Sequence, residues 1–279
     1  MPRGSGPSGR EDPVWRRLGA LARDRTSGAT HLTALALGAL DSLAQRTRRR
    51  SSAETRLVLR QLSRVLPAAQ PGMGAFVRWG ADLGILAGHR GDLRVRFLRY
   101  LANERRRFRS ETLGILRTSR ARMPRLASVV TLSRSSTVLR VLRSLPLKQR
   151  PVRVTVLRSL PGGEGTQMAM ELRSNGIPAR VVADRPLARA LRGATLVLLG
   201  ADAVLSDGAL VHKVGTRDLG RAAVRRRIPV VSLAPRSRWV GLASGEFHPP
   251  TLFDVTPAKC ITEFWTEAGV RSPRRPAAA

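Results

Sequence analysis

TLVLLGADAVLSDGALVHKVGT, residues 195–216, opens with a continuous apolar run, Leu196-Val197-Leu198-Leu199. That is the pattern of a strand buried on both faces, which belongs in a parallel sheet. Gly200 ends the run and Asp202 follows at once. Open parallel sheets hold their ligands at the carboxyl ends of the strands, so Asp202 is a candidate catalytic carboxylate. After the turn Ser206-Asp207-Gly208 and a short apolar piece, Lys213-Val214-Gly215-Thr216 leads into a helical pattern. A cation, a glycine and a hydroxyl at a helix entrance suit a phosphate, because free N–H groups and the helix dipole already favour an anion there. Lys213, Gly215 and Thr216 are therefore candidate ligand-binding residues.

Outward from this stretch, the second half repeats one alternation. Ser128–Leu132, Val152–Leu157, Ala179–Ala183 and Ile228–Leu233 are, like Thr195–Leu199, short, apolar and rich in β-branched residues. Helical patterns separate them at Ser136–Leu145, Gly165–Ser174, Leu187–Leu191 and Asp218–Arg227. Strands and helices in this alternation predict βαβ units with about five parallel strands, a Rossmann-like domain over residues 123–271. The first half shows no convincing strand. Leucines at helical spacing predict helices around Trp15–Ala22, Leu32–Leu43 and Leu57–Leu66, the last ended by Pro67. Another follows Pro71-Gly72, and an arginine-rich one runs from Gly91 to Thr118. The fold class is thus α/β: an N-terminal α-helical domain over residues 13–122, then the Rossmann-like parallel-sheet domain. Residues 1–12 and 272–279, rich in Gly, Pro, Ser, Ala and charge, read as disordered tails.

An apolar fraction of 42% over 279 residues is enough to build such cores. The formal charge of +31 comes from arginine, since Lys148, Lys213 and Lys259 are the only lysines. The arginines are spread through every expected helix, and aromatics are 4%, too few for a base-stacking platform. Weak, salt-sensitive RNA binding is the expectation, not a recognition code. Arg48-Arg49-Arg50 and Arg105-Arg106-Arg107 read as solvated helix faces or ends. Cys260 is the only cysteine, which excludes an internal disulfide and a cysteine-rich metal site. Four scattered histidines make no zinc site, so no metal and no cofactor is expected. No apolar run approaches the roughly 20 residues of a membrane span, and the N-terminus has no signal-type apolar region. The sequence predicts a cytoplasmic protein without a membrane partner.

Four strand ends converge on one sheet edge. After the first strand, Ser133-Arg134-Ser135-Ser136-Thr137 opens a helix, where capping by Ser135 or Ser136 is the plain reading. After the second, Pro161-Gly162-Gly163-Glu164-Gly165 lets a ligand phosphate approach the backbone, with Gly162, Gly163 and Gly165 as candidates. This loop is neither GxGxxG nor a Walker loop. After the third strand, Asp184 reads as a cap for the helix beyond Pro186. The fourth end is Gly200-Ala201-Asp202. Their convergence predicts a ligand site. There is no GxSxG elbow, no HExxH and no paired carboxylate for Asp202.

These residues, in this order, resemble the initiation factor 2B family. Its members are the α, β and δ subunits of the eukaryotic translation factor and two enzymes, methylthioribose-1-phosphate isomerase and ribose-1,5-bisphosphate isomerase. The likeness is carried by Thr131–Leu139 (TLSRSSTVL), Pro161–Gly165, Gly200-Ala201-Asp202 with Asp207-Gly208, and Lys213–Thr216. It continues through Phe253–Pro257 (FDVTP) and Thr266–Val270 (TEAGV), and in the first half through Ser27-Gly28-Ala29 and Gln70–Met73. The resemblance implies the same two-domain plan and a homodimer or higher homo-oligomer built through the C-terminal domains.

In the isomerases a cysteine and an aspartate move protons between C1 and C2 of an open-chain sugar phosphate. Asp202 matches the aspartate, and Ser133 stands at the cysteine position. A thiol with a pKa of about 8.5 exchanges a proton near neutrality, and an aliphatic hydroxyl does not without strong activation. The isomerase pattern Glu-x-Arg-Pro is here Arg158-Ser159-Leu160-Pro161, and the asparagine usually preceding the lysine is His212. The phosphate-side elements persist while the proton-transfer pair is broken. The resemblance thus implies a regulatory pseudoenzyme that binds a phosphorylated sugar or nucleoside monophosphate, with His212 among the ligand-binding residues. The alternative is a diverged aldose–ketose isomerase in which Ser133 or His212 replaces the thiol.

Overall fold

The computed structural model describes residues 12–24 and 27–273, which fall into two compact units. Most of the two expected tails lies outside the described residues. Asp12, at the edge of the first tail, accepts a hydrogen bond from the Val14 N–H at 2.8 Å and caps the first helix.

The first unit comprises Met1–Ser27, His31–Gln70 and Phe76–Arg106. It holds α1 (Pro13–Arg23), most of α2 (Ala29–Thr47), α3 (Ser52–Ala69), most of α4 (Gly74–Gly88) and the N-terminal half of α5 (Leu93–Arg122). Ser51 and Glu54 start α3 with a reciprocal capping box. Leu18, Leu32, Leu40, Leu59, Leu62 and Leu66, together with Phe76, Trp79 and Phe97, are buried side chains on these helices. The buried Glu104 accepts from Trp79 Nε1 at 2.7 Å and pairs with Arg78, so its charge is satisfied. Pro67 does not end α3 as expected. The helix runs on to Ala69, with the Pro67 ring seated where a side chain on Gly80 would lie. Proline removes one helical bond, and close packing in the last turn offsets that loss. The arginine runs behave as anticipated: Arg48, Arg49, Arg105, Arg106 and Arg107 are exposed.

The second unit comprises Gly28–Thr30, Pro71–Ala75 and Arg107–Ala279. Its strands are β1 (Ala127–Leu132), β2 (Val152–Leu157), β3 (Ala179–Val182), β4 (Leu196–Leu199), β5 (Ala203–Val204), β6 (Leu210–Lys213), β7 (Val230–Leu233), β8 (Phe253–Thr256), β9 (Glu263–Thr266) and β10 (Gly269–Arg271). Its helices are α6 (Ser136–Arg143), α7 (Glu164–Ser174), α8 (Leu187–Ala190) and α9 (Thr216–Arg225). Seven strands form one sheet in the order β10-β9-β7-β4-β1-β2-β3. The expectation of five falls short by β9, parallel to β7, and β10, antiparallel to β9.

Side chains alternate between two cores. Val129, Val154, Val156 and Leu198 pack with Val138, Leu142, Met168 and Leu172 of α6 and α7; Val130, Leu132, Val197 and Leu199 pack with Leu219 and Ala223 of α9. Burial on both faces is why the strands read as unbroken apolar runs. β1 pairs with β2 on one side and β4 on the other, so the strand order reverses between β1 and β4. That reversal opens the crevice in which such sheets hold ligands. The apolar piece after Gly208 is itself a strand: β5, β6 and β8 form a separate antiparallel sheet. No helix among the described residues is long and apolar enough to cross a membrane.

Candidate functional site

Asp202 leaves β4 on a fixed backbone. The Gly200 carbonyl accepts from Ser232 Oγ at 2.9 Å, the Asp202 N–H donates to the Val211 carbonyl of β6 at 3.0 Å, and the Asp202 carbonyl accepts from the Gly74 N–H at 2.8 Å. The Asp202 carboxyl makes no hydrogen bond among the described residues. Burial pushes it up to about 7, against the opposing pull of the Arg238 and Lys213 charges. A carboxyl so placed exchanges protons near neutrality.

Lys213 reaches the region from β6 and is buried. Its Nζ donates to Glu164 Oε1 at 2.7 Å, while Glu164 Oε2 is buried without a partner. Glu164 opens α7 directly after Gly162 and Gly163. Gly165 lies so close to the Leu157 carbonyl that any side chain would collide with it, which lets α7 abut β2. The structure therefore joins the glycine loop to Lys213, but through a carboxylate. The helix entrance is engaged in the same way. Gly215, at φ 96°, turns the chain into α9, and Asp254 of β8 accepts from the Gly215 N–H at 2.9 Å and the Arg217 N–H at 3.3 Å. Burial lifts the Asp254 carboxyl above its usual range even against these bonds. The seat read from the sequence as a phosphate site holds the chain's own carboxylate.

Ser133 leaves β1 at φ 59°, and its N–H donates to Ser159 Oγ at 2.6 Å; Ser159 itself sits at φ 67° beyond β2. Left-handed backbone is costly for residues with a Cβ and recurs at functional sites. Ser133 makes no hydrogen bond to Asp202 among the described residues. Asp184 does not cap its own helix as expected. It accepts from the Ser159 and Leu160 N–H groups at 2.7 and 2.9 Å, and α8 opens on Pro186 with no side-chain cap. Ser135 caps α6 through the Val138 N–H at 3.3 Å. Arg134 is committed to Glu171 at 2.6 Å.

His212, also on β6, is buried, and its Nδ1 lies 3.1 Å from Thr216 Oγ1. Burial and the neighbouring Lys213 charge depress its basicity to about 4, so the ring is neutral. A cavity of about 370 Å³ opens over the ends of β1 and β2, walled by Leu132 and Leu157 and rimmed by Arg185, Arg217 and Asp254. Its size suits a small ligand. It touches Gly215 but neither Asp202 nor Lys213. Glu164, Asp254 and Arg238 are the site residues that sequence reasoning missed; a lone acid between glycines was the available hint for Glu164. Among the described residues no group of three or more His, Cys, Asp or Glu is placed to hold a metal.

The sequence model of the Initiation factor 2 subunit family matches residues 25–243. The chain is 29% identical over 208 residues to a Pyrococcus horikoshii protein named eIF-2B subunit 2-like, a match covering 63% of this chain and 72% of that one. It is 24% identical over 178 residues to the ribose 1,5-bisphosphate isomerase of Methanocaldococcus jannaschii, covering 53% of this chain and 55% of the enzyme. The crystal structure of the Pyrococcus horikoshii OT3 translation initiation factor eIF-2B matches with a TM-score of 0.81 at 25% identity, over 93% of this chain and 97% of that one.

Proposed function

Because the chain belongs to the Initiation factor 2 subunit family, we propose that it is a non-catalytic, regulatory member. On this reading it binds a phosphorylated sugar or nucleoside monophosphate at the β1/β4 crevice and works as a cytoplasmic homodimer or larger homo-oligomer. The observation that carries the reading is the state of the proton-transfer pair. Asp202 is poised near neutrality, but the residue facing it in the family's scheme is Ser133, an alcohol with no hydrogen bond to Asp202. Such a hydroxyl lacks the acidity of a thiol. Lys213 supplies a buried cation at the end of β6, paired with Glu164.

Thermal unfolding with ribose 5-phosphate, ribose 1,5-bisphosphate, methylthioribose 1-phosphate, AMP and GMP tests this. A ligand at about a hundred times its Kd stabilises by about 2.7 kcal/mol, a shift of several degrees. At least one should stabilise the protein and be recovered unchanged. If none shifts the melting, the reading fails. Light scattering of the free protein tests the assembly, where a monomer at all concentrations would refute it.

Isomerisation is the second reading, favoured by the neutral His212 ring, which follows Val211, the residue whose carbonyl accepts from the Asp202 N–H. Ketose formation that disappears in Asp202→Asn would establish it over the first.

A further inference from the structure

The arginines look scattered along the sequence, yet in the second unit many gather on one edge of the sheet, opposite the crevice. Parallel strands all begin at one edge, and the helices that connect them end there too. Backbone bonds hold the lead-in segments side by side at this edge. The Ala127 N–H donates to the Pro151 carbonyl at 3.2 Å, the Val154 N–H to that of Pro178 at 2.8 Å, and the Thr195 N–H to that of Ser128 at 2.9 Å. Arg125 leads into β1, Lys148 and Arg150 into β2, Arg192 into β4 and Arg227 into β7. Arg150 donates to the Arg120 carbonyl at 2.5 Å, and Arg120 Nε donates to the Ser144 carbonyl at 2.8 Å, which ties the ends of α5 and α6 to the start of β2.

Acids are placed the other way round. In the lead-in segments, residues 123–127, 144–152, 175–179, 191–196, 226–230 and 261–263, the one acid is Glu263. Arg122 already pairs with it at 3.0 Å. Glu164, Asp184, Asp202 and Glu267 instead follow their strands, at the carboxyl edge. Helix dipoles do not account for this division. They draw a cation to a last turn, as at Arg143, Arg173 and Arg225. Arg125, Lys148, Arg153, Arg192 and Arg227 lie outside the helices, are exposed, and have no ion-pair partner among the described residues.

Such an edge calls for a polyanion, and guanidinium forks match phosphate best. It carries no exposed aromatic ring on which single-stranded bases could stack. It is built of helix ends and turns, with no helix N-terminus or β-ribbon to enter the major groove of DNA. Duplex RNA asks for neither, because it is held across its wide minor groove through phosphates and 2′-hydroxyls. Exposed Gln149 and Asn175 lie among the cations and suit those hydroxyls. At about 4.8 Å per neighbouring strand, the edge from β9 to β3 is about 24 Å long. We propose that this edge binds duplex RNA through its phosphates. The proposal concerns the edge away from the small-ligand crevice and does not depend on the binding reading above.

Fluorescence anisotropy of the full chain with a labelled RNA duplex of about 16 base pairs, the span of one duplex-binding module, tests it across a salt series. In the edge variant Arg125→Gln, Lys148→Gln, Arg153→Gln and Arg192→Gln are combined. In the control variant Arg48→Gln, Arg49→Gln, Arg60→Gln and Arg64→Gln remove the same charge from exposed positions of the first unit. At about 0.15 M salt the edge variant should bind about tenfold or more weakly than wild type, and its log–log salt slope should be shallower by about 3, since each phosphate contact contributes nearly one unit. The control should stay within about twofold of wild type, as expected of charges that touch no phosphate. Lys148→Gln with Arg153→Gln should fall between and serves if the fourfold edge variant does not fold. Equal losses in edge and control variants would assign the binding to net charge and overturn the proposal. It would equally be overturned by no binding at that salt, or by equal or tighter binding to a DNA duplex of the same length, to single-stranded RNA or to phosphatidylserine vesicles.

Discussion

Replacing Asp202 by Asn should make the protein more stable at pH 8 and leave it nearly unchanged at pH 4. In the folded chain burial pushes this carboxyl up to about 7, and an unfolded aspartate titrates near 3.9. Between those values the native state keeps a proton that the unfolded state has released. The slope of unfolding free energy with pH follows the difference in bound protons, unfolded minus native, so wild-type stability falls as pH rises through this window. Three units at about 1.4 kcal/mol each give a ceiling near 4 kcal/mol. Asp202 is half-buried, so water screens part of the penalty and a gain of about 2 kcal/mol is expected. Asparagine keeps the shape and cannot ionise. Urea unfolding of both proteins at half-unit steps from pH 4 to 8, followed by the fluorescence of the four tryptophans, reads the difference directly. The gap should open above pH 4 and level off near pH 7. A gap that stays flat, or a variant weaker than wild type at pH 8, would mean that Arg238 and Lys213 hold the carboxylate ionised in the folded state, and the acid–base reasoning would be refuted.

Other substitutions separate the binding parts from the structural ones. Glu164→Gln should lower stability by about 1–2 kcal/mol, because Lys213 keeps a hydrogen-bond partner but loses its counter-charge, and should strengthen stabilisation by inorganic phosphate; melting across a phosphate series that shows no such gain would deny Lys213 an anion-binding role. Asp254→Ala should cost about 1–2 kcal/mol and speed hydrogen exchange at the Gly215 amide, since the amides opening α9 lose their acceptor; unchanged exchange would contradict the cap. Gly165→Ala forces a methyl against the Leu157 carbonyl, so denaturant melts should show a loss of about 1–3 kcal/mol or more; unaltered stability would place α7 further from β2.

What the sequence made legible was whatever depends on neighbours along the chain. The five parallel strands announce themselves because burial on both faces demands continuous apolar runs, and Ser135 was a readable cap because its acceptor serves an amide three residues on. Pro67 misled because a proline in a last helical turn is stabilised by Gly80, a contact no local pattern records. β9 and β10 are too short for periodicity to distinguish from loop, and β6 reads as a strand only once β8, more than forty residues later, lies beside it. The candidate site divides along the same line. Asp202, Lys213 and Gly215 were placed by the strand–loop–helix grammar. Their partners, Glu164 for Lys213 and Asp254 for Gly215, are 49 and 39 residues away in sequence. Those pairings turn an apparently open anion seat into one already filled.

That difference bears on whether this is a site for binding or for turnover. Aldose–ketose exchange by the family's scheme needs two groups that give and take protons on opposite sides of the reacting carbons. Asp202 can be one of them. For Ser133 to be the other, its hydroxyl would need a base within hydrogen-bond reach. The available base, His212, turns Nε2 toward Gly200 and Ser135, and its Nδ1 is fixed by Thr216. Burial also holds its basicity near 4, so it makes a poor proton acceptor at neutral pH and a good hydrogen-bond acceptor. Ser133 is further restrained by the bond from its own N–H to Ser159. His212 and Ser133 are thus engaged by their own neighbours, which supports the proposed binding reading over proton transfer. On the proposed reading, Asp202, poised near neutrality but without a hydrogen-bonded proton-transfer partner, would serve binding.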